Sequence, residues 1–396
     1  MASDKKTKKQ TRIYLDYAAT TPTDPEVLAK MLPYFGAEYS NPSSLHESGR
    51  RAHQTIEEAR ANVAEVLNAM PEEIIFTGSG TESDNLAVVG TARANRSHGN
   101  HIIISAIEHK AVIESARQLE KEGFVVSVLP VDVCGKINIR TCLSLVTDKT
   151  ILVSVMHANN EIGTIEPIAE LARALRKPFP LLHTDACQVA GFLSLDVQKL
   201  GVDLMTLNSS KVYGPKGVGI LYKRKDVRIA PVIVGGEQEK NYRAGTESVP
   251  LIVGMVHALK KANARCVVES KRLIKLRDYF IAQLQKKITG LVLNGHPTDR
   301  LPNNVHISVP FIEGESMLLM LDQLGIECST GSACSASDLK PSHVLLAIGH
   351  DESLAHGSLR FSLGITTTHT DLDRVLSVLP GIVERLRKMS ALTIEK

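Results

Sequence analysis

Three short segments carry side chains that could hold and activate a small charged molecule. FTGSGTESDNL (76–86) runs from an apolar stretch expected as a strand, through Gly, Ser and Thr, into an expected helix. Free amides at a helix start, small residues and the Thr81 hydroxyl would together cradle a phosphate. The spacing is neither a Walker loop nor G-x-G-x-x-G, and the segment also reads as a plain strand–helix connection. LLHTDACQ (181–188) ends an expected strand in Asp185. An acid there is an edge or cap residue, or it holds a proton on a heterocyclic nitrogen through a charge-assisted bond. NSSKVYGPKGVG (208–219) sets Lys211 after another strand among hydroxyls and glycines. That lysine is either exposed or, near a phosphate cradle, able to bind an aldehyde as an imine.

The combination is more specific than its parts. Cradle, acid and lysine, each after a different strand, supply what pyridoxal 5′-phosphate (PLP) needs: an anchored phosphate, a protonated ring nitrogen and a held aldehyde. His109, in SAIEHKA after the apolar run HIIIS, is a helix-start histidine that could also stack on a flat ring and move protons.

Those loops need a scaffold, and the pattern around them supplies one. Between about 73 and 222, the runs EIIFT, HIIIS, FVVSVL, ILVSVM, LLHTD, DLMTLN and VGILY alternate with amphipathic stretches such as 82–94, 110–121 and 166–176. This predicts an α/β domain whose largely parallel sheet is covered on both faces. The run at 217–222 follows DLMTLN without a helix, so it suits an antiparallel strand. Ligands of such sheets gather beyond the carboxyl ends of the strands, where the three segments fall. From 247 to 288 the pattern is one long helix. Strands at 304–309 and 359–363 then alternate with helices at 314–323 and 370–388, predicting a smaller α/β or α+β unit. The segment CSTGSACSASDLKPS (328–342) lacks apolar periodicity and is expected to be a mobile loop.

Composition bounds the rest. The chain has 396 residues, 43% hydrophobic and 22% charged, enough apolar surface for two or three globular domains and no run of membrane-span length. The net charge of +3 resides in the first ten residues, where Lys5, Lys6, Lys8 and Lys9 face Asp4. The balanced remainder gives no support for a nucleic-acid surface. The basic start lacks the apolar core of a signal peptide, and the six cysteines form no C-x-x-C pair, so reduced thiols in the cytoplasm are expected.

Read along its length, the sequence resembles the PLP-dependent cysteine desulfurases of the NifS/IscS type, in the class V aminotransferase group. The resemblance is carried by IYLDYAATTP (13–22), GSGTESDNLA (78–87), EHKAV (108–112), MHANNEIGT (156–164), TDACQ (184–188), KVYGPKGVG (211–219), YRAGTES (242–248), STGSACSA (329–336) and LRFSLG (359–364). It implies fold type I, with a large domain (21–262) built on a mostly parallel seven-stranded sheet and a smaller C-terminal α/β domain (263–396). An N-terminal segment (12–20) would pack on the small domain, and the lysine-rich residues 1–11, outside the resemblance, are expected from their composition to form a disordered tail.

The resemblance further implies roles for individual residues. Lys211 would bind the cofactor aldehyde, Asp185 its ring nitrogen, and His109 would stack and handle protons. Asn160 and Gln188 would face the ring substituents. Gly80, Thr81 and Ser210 would bind phosphate, with Thr246 reaching it from the second subunit of a homodimer. Arg360, otherwise a surface arginine on a strand, would grip the carboxylate of L-cysteine, with Asn160 beside it. Cys334 would take the sulfur as a persulfide, leaving L-alanine. No intrinsic metal is implied, although Cys334 could serve as a transient iron–sulfur ligand. The implied acceptor is an iron–sulfur scaffold protein, or a tRNA-thiolation relay. Ser210 stands where the family usually has histidine, and Asn208 where serine is common, which leaves the detail of phosphate binding open. Cys328 reads as structural, Cys187 as packing, and Cys134, Cys142 and Cys266 have no assigned role. Two other readings stand beside this one: a selenocysteine lyase or other class V PLP enzyme, and a non-catalytic sulfur-relay or scaffold subunit.

Overall fold

The computed structural model describes residues 12–175, 178–331 and 341–389. Seven strands form the large sheet: β2 (Ile74–Thr77), β3 (His101–Ser105), β4 (Val125–Leu129), β5 (Thr150–Ser154), β6 (Leu181–Asp185), β7 (Leu204–Asn208) and β8 (Gly219–Lys223), after a short β1 (Ile13–Tyr14) that lies elsewhere. Their spatial order is β2-β8-β7-β6-β5-β3-β4. Every residue of β3, β5 and β6 is buried, because helices cover both faces. That is why these strands read as continuous apolar runs instead of alternating ones.

Direction decides where the functional loops go. β3, β4, β5, β6 and β7 pair in parallel, whereas β8 is antiparallel to both β7 and β2. Two reversals restore the direction, so β2 points the same way as β7. The loops after β2, β3, β5, β6 and β7 therefore leave the sheet at one edge.

The helix Lys110–Lys121 begins at His109, and the helical run from Gly80 to Ala94 contains a π turn at Leu86–Gly90. The expected helix at 166–176 is shorter, Ile168–Ala174. Pro25–Met31 and Glu47–Leu67 are helices outside the alternation read from the sequence, and both pack on the large core.

The helix Val249–Lys287 has 39 residues and buries two separate stretches. Val249 to Leu259 faces the large core, and Leu273 to Leu284 faces a second one. At 1.5 Å per residue it runs for roughly 58 Å, long enough to serve both. The second core lies under an antiparallel sheet of β9 (Val292–Leu293), β10 (Asn304–Ser308) and β12 (Ser358–Ser362), ordered β12-β10-β9, and helices Gly314–Gln323 and His369–Met389. β11 (Ile326–Glu327) pairs in parallel with β1, and Leu15 is buried in the second core. The chain then crosses to the large sheet, where Thr21 donates to the Ser210 carbonyl. No helix among the described residues is long and apolar enough to cross a membrane. Residues 1–11 and Cys334 lie outside the described residues.

Candidate active site

At the shared edge of the large sheet lies a cavity of about 810 Å³, lined also by Arg360 of β12 and, beside Lys211, by Ala18 and Ala19 of the N-terminal segment. Gly80, Thr81, His109, Asn160, Asp185, Gln188, Asn208, Lys211 and Arg360 all line it. Ser210 and Thr246 are not among its lining residues. Thr246 is exposed, and the Ser210 hydroxyl donates to Asn208 Oδ1 at 3.3 Å.

The cradle is built by local capping and close packing. Ser79 Oγ accepts the amide of Glu82 at 3.1 Å and starts the helix. A Cβ on Gly80 would sit 2.9 Å from Cys187 Sγ and 3.1 Å from Asn208 Cβ, so glycine is required where three loops meet. Glu82 reaches back to the amide of Gly78 at 2.9 Å and accepts from Arg243 Nε at 2.9 Å. That ion pair pins the 242–248 segment beside the cradle.

Asp185, the last residue of β6, is 6% exposed and accepts the amide of Cys187 at 2.9 Å. Against it stands Asp84, which is 1% exposed and was not singled out from the sequence. One ligand-type atom from each of Asp84, His109 and Asp185 falls within 4.8 Å of the others. Burial, with the charge of Asp185 added, pushes the Asp84 carboxyl well up. His183 Nδ1 is hydrogen-bonded to Ser154, and its Nε2 lies 3.7 Å from Asp84. Burial pushes this imidazole down to about 4, so it is neutral. His109 Nδ1 accepts the amide of Ala111 at 3.1 Å, which leaves the proton of a neutral ring on Nε2.

Lys211 Nζ donates to the carbonyls of Ala18 and Ala19 at 2.8 and 2.5 Å, and Gln188 Nε2 also donates to Ala18 at 3.0 Å. The N-terminal segment thus orients the lysine. Arg360 is only 3% exposed, so it is no surface residue. It donates through Nη2 to Asp16 and through Nη1 to the Asn160 carbonyl, each at 3.0 Å. Its buried Nε has no partner among the described residues, which leaves donor capacity for an anion. Glu161 also lines the cavity; burial pushes it up to about 7, and it accepts from the Ser342 hydroxyl, which caps the helix His343–Ala347.

Gly331 and Pro341, the described residues on either side of the segment that holds Cys334, both line the cavity. Cys328 packs partly buried against the second core, and burial pushes its thiol far up. Cys187 is buried, and its thiol is raised by burial and by the charges of Asp185 and Asp84. Neither is poised as a thiolate.

The sequence reading missed Asp84, Asp16 and Glu161, and gave Ala18 and Ala19 no role. Asp16, Ala18 and Ala19 did fall inside the quoted segment IYLDYAATTP. Their function as hydrogen-bond partners of Arg360 and Lys211 had no local signal.

The donor set fits PLP. Helix-start amides and an obligatory glycine suit a phosphate, a buried aspartate suits a pyridinium, an oriented lysine suits an aldehyde, and an imidazole with a defined tautomer adjoins them. The comparisons agree. The profile of the class-V aminotransferase family matches residues 13–375. A cysteine desulfurase IscS of Dictyoglomus turgidum is 50% identical over 378 residues, covering 96% of each chain. Among solved structures, a NifS-like protein aligns with a TM-score of 0.89 at 37% identity, covering 95% of this chain and 100% of that one. SspA in complex with cysteine aligns with a TM-score of 0.78 at 34% identity, covering 89% and 99%. With the sheet, the cavity and its donors in place, the chain belongs to the class-V aminotransferase family, as one of its PLP-dependent cysteine desulfurases.

Proposed function

We propose that the chain takes the sulfur of L-cysteine onto Cys334 as a persulfide, releases L-alanine, and passes the sulfur to an iron–sulfur scaffold protein in the cytoplasm. The observation that carries this reading is the convergence on one cavity of Lys211, Asp185, His109 and Arg360 with the two residues that bracket the Cys334 segment.

In this reading Gly80, Thr81 and Asn208 hold the phosphate, with Ser210 acting through Asn208. Asp185 holds the ring nitrogen, His109 and Gln188 hold the ring, and Lys211 holds the aldehyde. When bound, PLP supplies an electron sink that acidifies the substrate's α-carbon and weakens its bond to sulfur. Arg360 binds the substrate carboxylate in the fork geometry that guanidinium offers, with Asn160 beside it. Lys211 removes the α-proton, and His109 moves the proton of the substrate thiol. Cys334 attacks as a thiolate: a sulfur–sulfur bond forms, the carbon–sulfur bond breaks, and its electron pair is left on carbon, which takes up a proton to give alanine.

Thr246 is exposed and lies outside its own chain's cavity lining, which suits a homodimer in which it serves the partner's phosphate site. A tRNA-thiolation relay is a further outlet for the same persulfide.

Mass spectrometry after incubation with L-cysteine tests the reading. One added sulfur on Cys334 and one alanine per persulfide are expected, and borohydride should fix the cofactor to Lys211. No added mass, or mass on Cys328 instead, overturns it.

A further inference from the structure

The turn after β5, residues 159–164, presents Asn160 and Glu161 to the cavity. Three successive carbonyls of this turn are each bound by a side chain from the smaller sheet or the loop leading into it. Arg360 Nη1 donates to Asn160 at 3.0 Å, Asn304 Nδ2 to Glu161 at 2.8 Å and Arg300 Nη2 to Ile162 at 3.0 Å. Arg300 Nη2 also donates to Asn304 Oδ1 at 3.0 Å, so two of the three clamps brace each other. Backbone bonds continue the seam, from Leu301 to the Gly163 carbonyl at 2.8 Å and from Ile165 to the Asp299 carbonyl at 3.0 Å. Gly163 has φ +78°, and a Cβ there would meet Asn304 Cγ at 2.6 Å. The approach is therefore too close for any other residue.

Arg300 itself needs an explanation. It is 2% exposed, and it has no ion pair with a carboxylate among the described residues. Its Nη donors go to carbonyl oxygens and to Asn304, and its buried Nε has no partner among the described residues. Burial and the neighbouring Arg277 push it down to about 9, still protonated at neutral pH. A guanidinium buried in this way is costly for stability, and a neutral side chain would be cheaper there. Its fork reaches the Ile162 carbonyl and Asn304 together, which a point donor such as lysine could not do.

We propose that Arg300 and Asn304 are positioning residues for substrate: they hold the 160–162 turn so that the Asn160 side chain and the Arg360 guanidinium meet the carboxylate of L-cysteine in register. This extends the proposed role of Arg360 and rests on it. The pair touches no reacting atom, so its loss weakens substrate binding and leaves the cofactor in place.

The test uses the holoenzyme and four variants. Asn304→Ala removes the bond to Glu161 and is expected to raise KM for L-cysteine about tenfold, the effect of one well-placed hydrogen bond. Its kcat should stay within about twofold, its cofactor absorbance should be unchanged, and amide hydrogen exchange over 159–165 should be faster. Arg300→Gln should raise KM further, with Arg300→Lys no better than partial in restoring it. Should Arg300→Gln fail to fold, Asn304→Ala decides alone. A parental KM in Asn304→Ala, while Arg360→Gln raises KM, overturns the proposal. If Arg360→Gln itself leaves KM unchanged, the carboxylate assignment falls and the positioning proposal falls with it, whereas a raised KM in Arg360→Gln leaves the Asn304→Ala result to decide the proposal alone.

Discussion

The two walls of the cavity are built by different means. On the large-sheet wall each functional side chain sits at a strand end or a few residues beyond it. Asp185 closes β6, Lys211 follows β7 within one short turn, and His109 caps the helix after β3. Their placement is local, given the strand order. On the opposite wall Arg360 lies inside a strand, aimed by Asp16, 344 positions away in sequence, and by the Asn160 carbonyl, 200 positions away. The first wall depends on one sheet; the second depends on two cores and the N-terminal segment being docked correctly. Damage to the first should therefore appear in cofactor retention and kcat, and damage to the second in KM.

The sharpest break comes from Lys211→Ala. It should lower kcat by roughly 10²–10⁴-fold, the span for loss of a positioned acid–base group, and abolish borohydride fixation. Steady-state kinetics with reduction of the cofactor checks both. Next, Gly80→Ala places a methyl 2.9 Å from Cys187 Sγ and pushes the cradle open. Titration of the apoprotein should show PLP bound at least about tenfold more weakly, corresponding to ~1.4 kcal/mol. A parental affinity would separate the cradle from the phosphate.

On the second wall, Asp16→Asn leaves the fold and cofactor spectrum intact but withdraws the charge that orients Arg360. KM for L-cysteine should rise about tenfold, the scale of one charge-assisted bond, with kcat little changed. Loss of cofactor in this variant would erase the distinction between the walls.

The smallest effect concerns pH and buried groups on the large-sheet side. Burial pushes Glu108 and Glu166 up to about 8 and Glu161 up to about 7, from an ordinary 4.5. The folded chain therefore holds protons that the unfolded chain has released, and these groups lower stability as pH rises from 4.5 to about 8. His157 and His183, pushed down to about 4 by burial, act oppositely, adding stability as pH rises towards 6.5. The two sets oppose each other below 6.5, so the net decline should emerge between pH 6.5 and about 8. Urea midpoints of the holoenzyme should fall across that window, and Glu108→Gln should shrink the drop. An equal drop in the variant would clear Glu108 of the effect.

Legibility follows the same division. The doubly buried runs HIIIS, ILVSVM and LLHTD announced strands because continuous apolar sequence has few other uses in a short segment. Asp84 gave no such sign. In a Glu-Ser-Asp-Asn stretch it looks like any acid on a helix, and only the sheet order brings it against Asp185. Glu161 and Ser342 are likewise ordinary until the turn after β5 and the helix His343–Ala347 meet.

Residue order along the chain was enough to settle the α/β architecture, the strand-end loops and the family, because strand periodicity, caps and glycine-rich turns act over a few residues. Strand order, the pairing of β8 with β2, the burial of Arg360 and the Arg300–Asn304 brace were decided only in three dimensions. Each of them joins groups far apart in sequence, and a hydrogen bond or a buried charge is set by what stands within a few ångströms, whatever its distance along the chain.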